Sequence, residues 1–233
     1  MNPLERLKSE VCQANRDLVR HALVVLTWGN VSAITPDRTR VVIKPSGVAY
    51  ESLTASDMVV LDLDGRVVEG SLAPSTDTPT HLHLYRSFPG IGAIAHAHSP
   101  YATMFAQARR EIPCLGTTHA DHFLGPVPLA RALTPKEAAD DYELNTGRVI
   151  VERFATLNPV TTPGVLLAGH APFVWGPTAT KALENAVALE AIARIAHGTL
   201  ALNTCVPLET HILTKHHDRK HGQSAYYGQP PKA

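Results

Sequence analysis

Cysteine is scarce. Cys12, Cys114 and Cys205 are the only three in 233 residues, odd in number and far apart, which argues against a disulfide framework or a cysteine-rich zinc site. An excess of charge is lacking too. Lys plus Arg and Asp plus Glu number 21 each, so no global basic field draws the chain to nucleic acid or to an anionic membrane. Although 44% of residues are hydrophobic, charged or polar residues interrupt every apolar run well short of a membrane span. The opening MNPLERLKSEV is charged from its fifth residue and has no apolar signal region. Neither a Walker A nor a GxGxxG pattern is present, so a nucleotide is not implied. There is no internal repeat and no low-complexity linker. These absences predict a soluble, cytoplasmic, single-domain protein over residues 1–233, large enough for a real core. What is abundant is histidine, with thirteen residues clustered in a few places.

The coarse pattern mixes helices with hairpins. Asn2 is placed to cap a first helix, with Pro3 in its first turn and Leu4, Leu7, Val11, Ala14 and Leu18 along one face. ALVVLTWGNVSAI and TRVVIKPSG read as strands, and DMVVLDLDGRVVEG as a hairpin turning at Asp64-Gly65. TPTHLHLYRSF begins a helix with Thr78 as its cap and Pro79 in first position. GAIAHAH is a strand, Ser99-Pro100 starts another helix, and GVLLAGHAPFVWG is a further strand after a less regular middle section. ATKALENAVALEAIARIAHGTL is the longest helix. The mixture predicts an α/β sandwich whose sheet is largely antiparallel.

Histidine carries the first chemical signal. On a strand, residues i and i+2 share a face, so His96 and His98 in AIAHAHSP point the same way, at a separation that suits two ligands of one metal. A bare His-x-His more often faces water or is hydrogen-bonded in a cleft. His170, in LLAGHAPFVWG, is a third imidazole at the end of an apolar strand. Three imidazoles with a carboxylate suit Zn²⁺ or a similar divalent ion, and Asp77 in APSTDTPTH offers a carboxylate, although such an Asp is also an ordinary turn or capping residue. A second signal is built from small polar residues. WGNVS, KPSG and PSTD each turn the chain beside a strand or helix, and their backbone N–H groups, hydroxyls and Lys44 suit a phosphate cradle. Each alone is also an ordinary loop.

Taken together and in order, LTWGNVSA, VIKPSGV, DTPTH, HAHSPYAT, GTTHAD and RKHGQSAYYGQ resemble the class II aldolase and ribulose-phosphate epimerase family, nearly from end to end. The resemblance implies a three-layer α/β/α fold around a mostly antiparallel sheet. It implies a cyclic homotetramer with active sites between subunits, the tail from about residue 210 to 233 reaching a neighbour. It assigns Asp77, His96, His98 and His170 to a divalent metal, most simply Zn²⁺. It gives Gly29, Asn30, Lys44, Ser46, Gly47, Ser75 and Thr76 to the substrate, chiefly its phosphate. Asp121 and Tyr227 become the acid/base pair, with Tyr227 reaching in from the neighbouring subunit. Without the resemblance, Asp121 is an ordinary loop carboxylate and Tyr227 is indistinguishable from Tyr226. His216 and Arg219 belong either to a solvated basic helix end or to substrate positioning. Thr76 and Gly169 depart from the family pattern, the first by an added methyl and the second by a smaller residue.

The implied activity is inversion of carbon 4 in a phosphorylated ketopentose, interconverting L-ribulose 5-phosphate and D-xylulose 5-phosphate in arabinose or ascorbate catabolism. The hydrogen on carbon 4 is not adjacent to the carbonyl and is not acidic. Breaking the bond between carbons 3 and 4 leaves an enediolate, whose charge a divalent cation stabilises as a Lewis acid. Re-adding the aldehyde fragment by its other face inverts the centre, and two opposed proton carriers serve the two faces. Three alternatives stand beside this reading: a phosphosugar aldolase of the same family, a metal-dependent hydrolase, and an aldolase-like scaffold domain. The Asp at position 77 favours the epimerase, since related aldolases place the longer Glu there. No paired Glu base is evident for a hydrolase, and a scaffold has no use for three histidines and Asp77.

Overall fold

The structure, a computed structural model, describes residues 2–202, 206–223 and 225–227. Cys205, Ser224 and residues 228–233 of the expected tail lie outside the described residues. Asn2 caps α1 (Pro3–Arg20) as expected, its Oδ1 accepting from the Leu4 amide at 3.1 Å. Val11, Ala14 and Leu18 form the buried stripe of that helix. Asn15, fully buried on the same face, accepts from the Val31 amide at 2.8 Å and donates to the Val31 carbonyl at 3.0 Å. A buried amide so paired fixes the helix against the sheet without leaving a polar group unmatched.

Eight strands form one sheet: β1 (Gly29–Ile34), β2 (Arg40–Ile43), β3 (Val59–Asp62), β4 (Val67–Glu69), β5 (Ala93–Ala97), β6 (Leu129–Ala130), β7 (Gly164–Leu167) and β8 (Pro172–Gly176). Their order is β4-β3-β2-β1-β5-β8-β7-β6. Every neighbouring pair is antiparallel except β6 with β7. The period-2 alternation of strands sorts residues between two cores. Val31, Ala33, Ala95, Leu166 and Val174 join one cluster, with α1, α3 (Pro100–Gln107) and α7 (Ala179–Leu202). Ile34, Ile94, Val165, Leu167, Phe173 and Trp175 join the other, with α2 (Thr78–Ser87) and α6 (Tyr142–Arg153). Phe88, Phe154 and Trp175 pack ring to ring at 5.1–5.4 Å, tying α2 and α6 to β8. Each such pair contributes about 0.5–1.5 kcal/mol beyond its buried area. This is the expected three-layer arrangement around a mostly antiparallel sheet. The remaining helices are α4 (Thr117–Ala120), α5 (Pro135–Ala139) and α8 (Thr210–His221). Among the described residues no helix is long and apolar enough to cross a membrane.

Three expectations about local structure are corrected. The strand expected from residue 22 begins only at Gly29. Ala22 and Leu26 have φ of 54° and 53°, turning the chain into a loop whose Val25 and Leu26 face solvent. Helix α2 is capped by position 77 rather than Thr78, which is already helical and donates its hydroxyl to the Ser75 carbonyl at 2.5 Å. The single strand expected over GVLLAGHAPFVWG is the hairpin of β7 and β8. Gly169, at φ +76°, makes the left-handed step that lets the Leu167 amide bond back to Ala171. That step also explains why a glycine precedes His170.

Candidate metal centre and its cavity

Strand β5 delivers the first imidazole. His96 is 2% exposed, lies opposite Phe173 in the β5–β8 register, and stacks on that ring at 4.1 Å. Its Nδ1 lies 2.9 Å from the Pro172 carbonyl. A carbonyl only accepts, so Nδ1 holds the proton and Nε2 is left with its lone pair, the arrangement found behind metal-ligating imidazoles. His98 follows on the same face just past the strand, and His170 comes from the β7–β8 turn. Their Nε2 atoms are 3.2 Å apart, and one ligand atom from each of the three rings falls within 4.8 Å of the others. Burial, then neighbouring imidazoles, holds His170 down at about 3 and His98 below the usual imidazole range. Both rings are neutral at physiological pH, the state that binds a cation.

Asp77 lines the same cavity but stands apart from this tight cluster. Its Oδ2 accepts from Asn30 Nδ2 at 2.6 Å. Burial alone raises the carboxyl, but His96, His81, Asn30 and His170 outweigh it and keep Asp77 below its ordinary value. An ionised carboxylate beside three imidazoles is a donor set that fits Zn²⁺. Three buried polar atoms at this centre have no protein partner: Asn30 Oδ1, His81 Nε2 and His170 Nδ1. Buried polar atoms are normally paired, so three unmatched ones side by side mark this as a polar centre and not ordinary core.

The cavity holds about 560 Å³ and brings together every residue expected to bind substrate from the first half of the chain. The KPSG and PSTD turns are zipped together: Ser75 N donates to the Lys44 carbonyl at 3.0 Å, and Ser46 N to the Ala73 carbonyl at 2.9 Å. Ser75 Oγ accepts from Asn30 at 3.1 Å. Gly47 turns at φ +69°. Gly29, at φ +153°, runs so close to β5 that a Cβ there would stand 2.7 Å from the His96 carbonyl oxygen. Lys44 is 1% exposed, and burial lowers its pKa with no carboxylate to offset it. A desolvated ammonium without a counter-charge favours an incoming anion. Thr76 is exposed, so its extra methyl displaces nothing in the core.

Asp121, Tyr227, His216 and Arg219 are not in this cavity. They form a second group on the same chain, where α4 meets α8. Arg219 donates to both Asp121 oxygens, His216 Nδ1 lies 3.1 Å from Oδ1, and Lys220 stands 3.7 Å from Oδ2. The Arg219 guanidinium lies 5.0 Å over the Tyr227 ring, and the Tyr227 amide donates to the Arg219 carbonyl at 3.0 Å. Tyr227 is 60% exposed. His216 and Arg219 are thus more than a solvated helix end: they grip Asp121. Within one chain the Arg219 side chain contacts both the Asp121 carboxylate and the Tyr227 ring.

Sequence reasoning missed Tyr142 and Glu143, which line the cavity at the start of α6. They follow Asp141, a non-glycine residue at φ 48°, in an acidic stretch without clear periodicity. Thr80 of α2 donates to the Glu143 carbonyl at 2.5 Å, so the helix that carries Asp77 also positions this rim.

Fold and site together define a class II aldolase-type protein. The chain belongs to the class II aldolase and adducin N-terminal domain family, whose model matches residues 9–197. It is 51% identical over 227 residues to L-ribulose-5-phosphate 4-epimerase UlaF of Salmonella paratyphi B, covering 97% of this chain and 100% of that one. The same identity and coverage hold for the protein of that name in Salmonella typhi. Among solved structures it is similar to an L-fuculose 1-phosphate aldolase, with TM-score 0.79, 27% identity, and 92% and 95% of the two chains covered. L-fuculose-1-phosphate aldolase of Thermus thermophilus matches with TM-score 0.66 and 27% identity, over 84% of this chain and 96% of that one.

Proposed function

We propose that this protein is a metal-dependent L-ribulose-5-phosphate 4-epimerase that inverts carbon 4 by breaking and remaking the bond to carbon 3. The observation that carries the reading is the 51% identity, along 97% of the chain, to a relative of that name. The convergence of His96, His98 and His170 beside an uncompensated Lys44 agrees with it. His96, His98, His170 and Asp77 would hold the cation, for which zinc is the best fit, and when bound it supplies Lewis-acid stabilisation for the enediolate charge.

The remaining work falls to the chain itself. Lys44, Ser46, Gly47, Ser75 and Thr76 hold the phosphate, and so keep the aldehyde fragment in the cavity while its carbonyl turns over. Asn30 lines the place of the sugar beside Ser75, and Gly29 leaves room for it. Tyr142 and Glu143 close the rim. Asp121, ionised by its pairing with Arg219, is ready to accept a proton, and the Tyr227 phenol is the opposed carrier. His216 and Arg219 position this pair. Because the second group lies outside its own chain's cavity, it serves a neighbouring subunit's cavity. The working enzyme is then a cyclic homo-oligomer, a tetramer, in the cytoplasm.

The test is direct. Metal-loaded protein incubated with L-ribulose 5-phosphate yields D-xylulose 5-phosphate without net release of fragments. Stoichiometric free glycolaldehyde phosphate instead identifies an aldolase, the activity named for the structural relatives.

A further inference from the structure

Beneath the cavity lies a buried polar ladder with no assigned role. Asp77, His81 and Tyr85 are spaced i, i+4, i+8 and share the face of α2 that meets the sheet. Asn30 and Ser32 are spaced i, i+2 and share the facing side of β1. The rise of four helical residues, about 6 Å, is close to that of two strand residues, so the stripes stay in register. Asn30 meets Asp77 at 2.6 Å, and Ser32 Oγ lies 2.7 Å from both His81 Nδ1 and the Tyr85 hydroxyl. Ser32 and His81 are wholly buried and Tyr85 is 1% exposed. Three polar side chains in such a place are costly where three apolar ones would pack.

The ladder has one free end. His81 Nε2 is buried without a partner. The ring stands edge-on to Phe173 at 6.1 Å, and Phe173 carries the stacked His96. The phenol is the strongest hydrogen donor of the three and an imidazole nitrogen the strongest acceptor. The phenol hydrogen is then directed to Ser32 Oγ and the Ser32 hydrogen to His81 Nδ1. That order leaves the imidazole proton on Nε2. The groups that His81 influences electrostatically are Asp77 and His96. His96 has its Nδ1 committed to the Pro172 carbonyl, and its Nε2 would be taken by the cation. Asp77 keeps an open acceptor, since Asn30 occupies only its Oδ2.

We propose that His81 is a positioning residue of the metal centre: held in the Nε2–H tautomer by Ser32 and Tyr85, its unpartnered Nε2 is the donor that gives the Asp77 carboxylate a second hydrogen bond when a cation draws Asp77 toward the three imidazoles. This rests on the reading of the triad and Asp77 as a cation site. Donors behind metal ligands orient them and raise their affinity, and removing one lowers affinity about 10–100-fold.

The test measures Zn²⁺ affinity by competition with a chromogenic chelator in wild type, His81→Phe, His81→Gln and Ser32→Ala. Thermal unfolding of each metal-free protein in excess chelator runs alongside. His81→Phe keeps the ring and loses both nitrogens. It is expected to bind Zn²⁺ about 10–100-fold more weakly, while its metal-free midpoint shows separately what losing the Ser32 bond costs the fold. His81→Gln, whose amide nitrogen stands where Nε2 does, recovers much of the affinity. Ser32→Ala loses less than His81→Phe, in the same direction, and carries the test should His81→Phe not fold. A lowered metal-free midpoint with wild-type Zn²⁺ affinity means that His81 only packs, and overturns the proposal. Wild-type affinity in both His81→Phe and Ser32→Ala overturns it as well. A wild type that binds no Zn²⁺ overturns both this assignment and the cation site beneath it.

Discussion

Arg219 grips Asp121 with two parallel hydrogen bonds, Nε to Oδ1 at 2.9 Å and Nη2 to Oδ2 at 2.6 Å, across 98 residues of sequence. A planar guanidinium matched to a carboxylate in this way fixes orientation as well as charge. Burial raises the Asp121 carboxyl, but Arg219, His216 and Lys220 outweigh it and hold the group below its ordinary value. A carboxyl whose folded value is depressed adds stability that is full above the unfolded value, about 4. That stability disappears as pH falls through the folded value. Asp121→Asn should therefore melt below wild type near neutral pH, by no more than about 1 kcal/mol for a pair that still meets solvent. The gap should close under acid. Melting curves of both proteins from neutral pH downward check this, and a gap that widens in acid would show that the pairing does not hold Asp121 ionised.

The metal histidines differ in what they do for the fold. His96 is buried and stacked on Phe173, whereas His98 is exposed. Replacing either with Ala should abolish metal retention and nearly all activity. His96→Ala also leaves a cavity under the sheet, and should destabilise the metal-free protein by about 2–4 kcal/mol. His98→Ala should leave the metal-free protein within about 0.5 kcal/mol of wild type, as exposed substitutions do. Elemental analysis and chelator-treated melting curves separate the two effects. Full metal occupancy in either variant removes that residue from the ligand set.

What was legible in the sequence was local. The pairing of His96 with His98 follows from the two-residue period of a strand, and Gly65 turns its hairpin at φ +85°. His170 was recognisable as a third imidazole, but its position in a hairpin turn was not. The apolar run on both sides of Gly169 reads as continuous, since a buried hairpin has no polar face to interrupt it. Helix α6 escaped notice because Gly147, where a Cβ would stand 3.0 Å from His83 Cβ, lowers helix propensity for the sake of close approach to α2. Position 77 was misread by one residue at the helix start because its side chain serves Asn30 instead of capping. The contacts of Asp121 with Arg219, and of His81 with Ser32, join distant segments. No periodicity carries information of that kind.

The carbon–carbon bond cleavage makes its own prediction. If the bond between carbons 3 and 4 breaks, the enzyme should slowly join dihydroxyacetone to glycolaldehyde phosphate, giving both ketopentose 5-phosphate epimers. Asp121→Asn and Tyr227→Phe should lower the rate and bias the epimer ratio in opposite directions, because each carrier serves one face of the aldehyde. Chromatographic separation of the two products gives the ratio. Equal bias in the two variants would place Asp121 and Tyr227 on the same face.

Assembly supplies the sharpest test, and the Arg219 bridge decides its form. Asp121 and Tyr227 are held by one arginine of one chain, away from that chain's own His96–His98–His170 cavity. If the Asp121 group serves a neighbour, as proposed, a whole site needs the cavity of one subunit and the Asp121 group of the next. Asp121→Asn spoils only the second and His98→Ala only the first. Co-expressed, they should form mixed oligomers in which a site is whole when its cavity comes from the Asp121→Asn parent and its proton carriers from the His98→Ala parent. With random mixing that is about a quarter of sites, so activity should recover to about a quarter of wild type from near zero in each parent. Asp121→Asn mixed with Tyr227→Phe should not recover, because every Asp121 group then carries one lesion or the other. Native mass spectrometry confirms the mixing and product formation gives the recovery. Recovery in the second mixture and none in the first would mean that Asp121 and Tyr227 act from different subunits, and that Arg219 releases one of them on assembly.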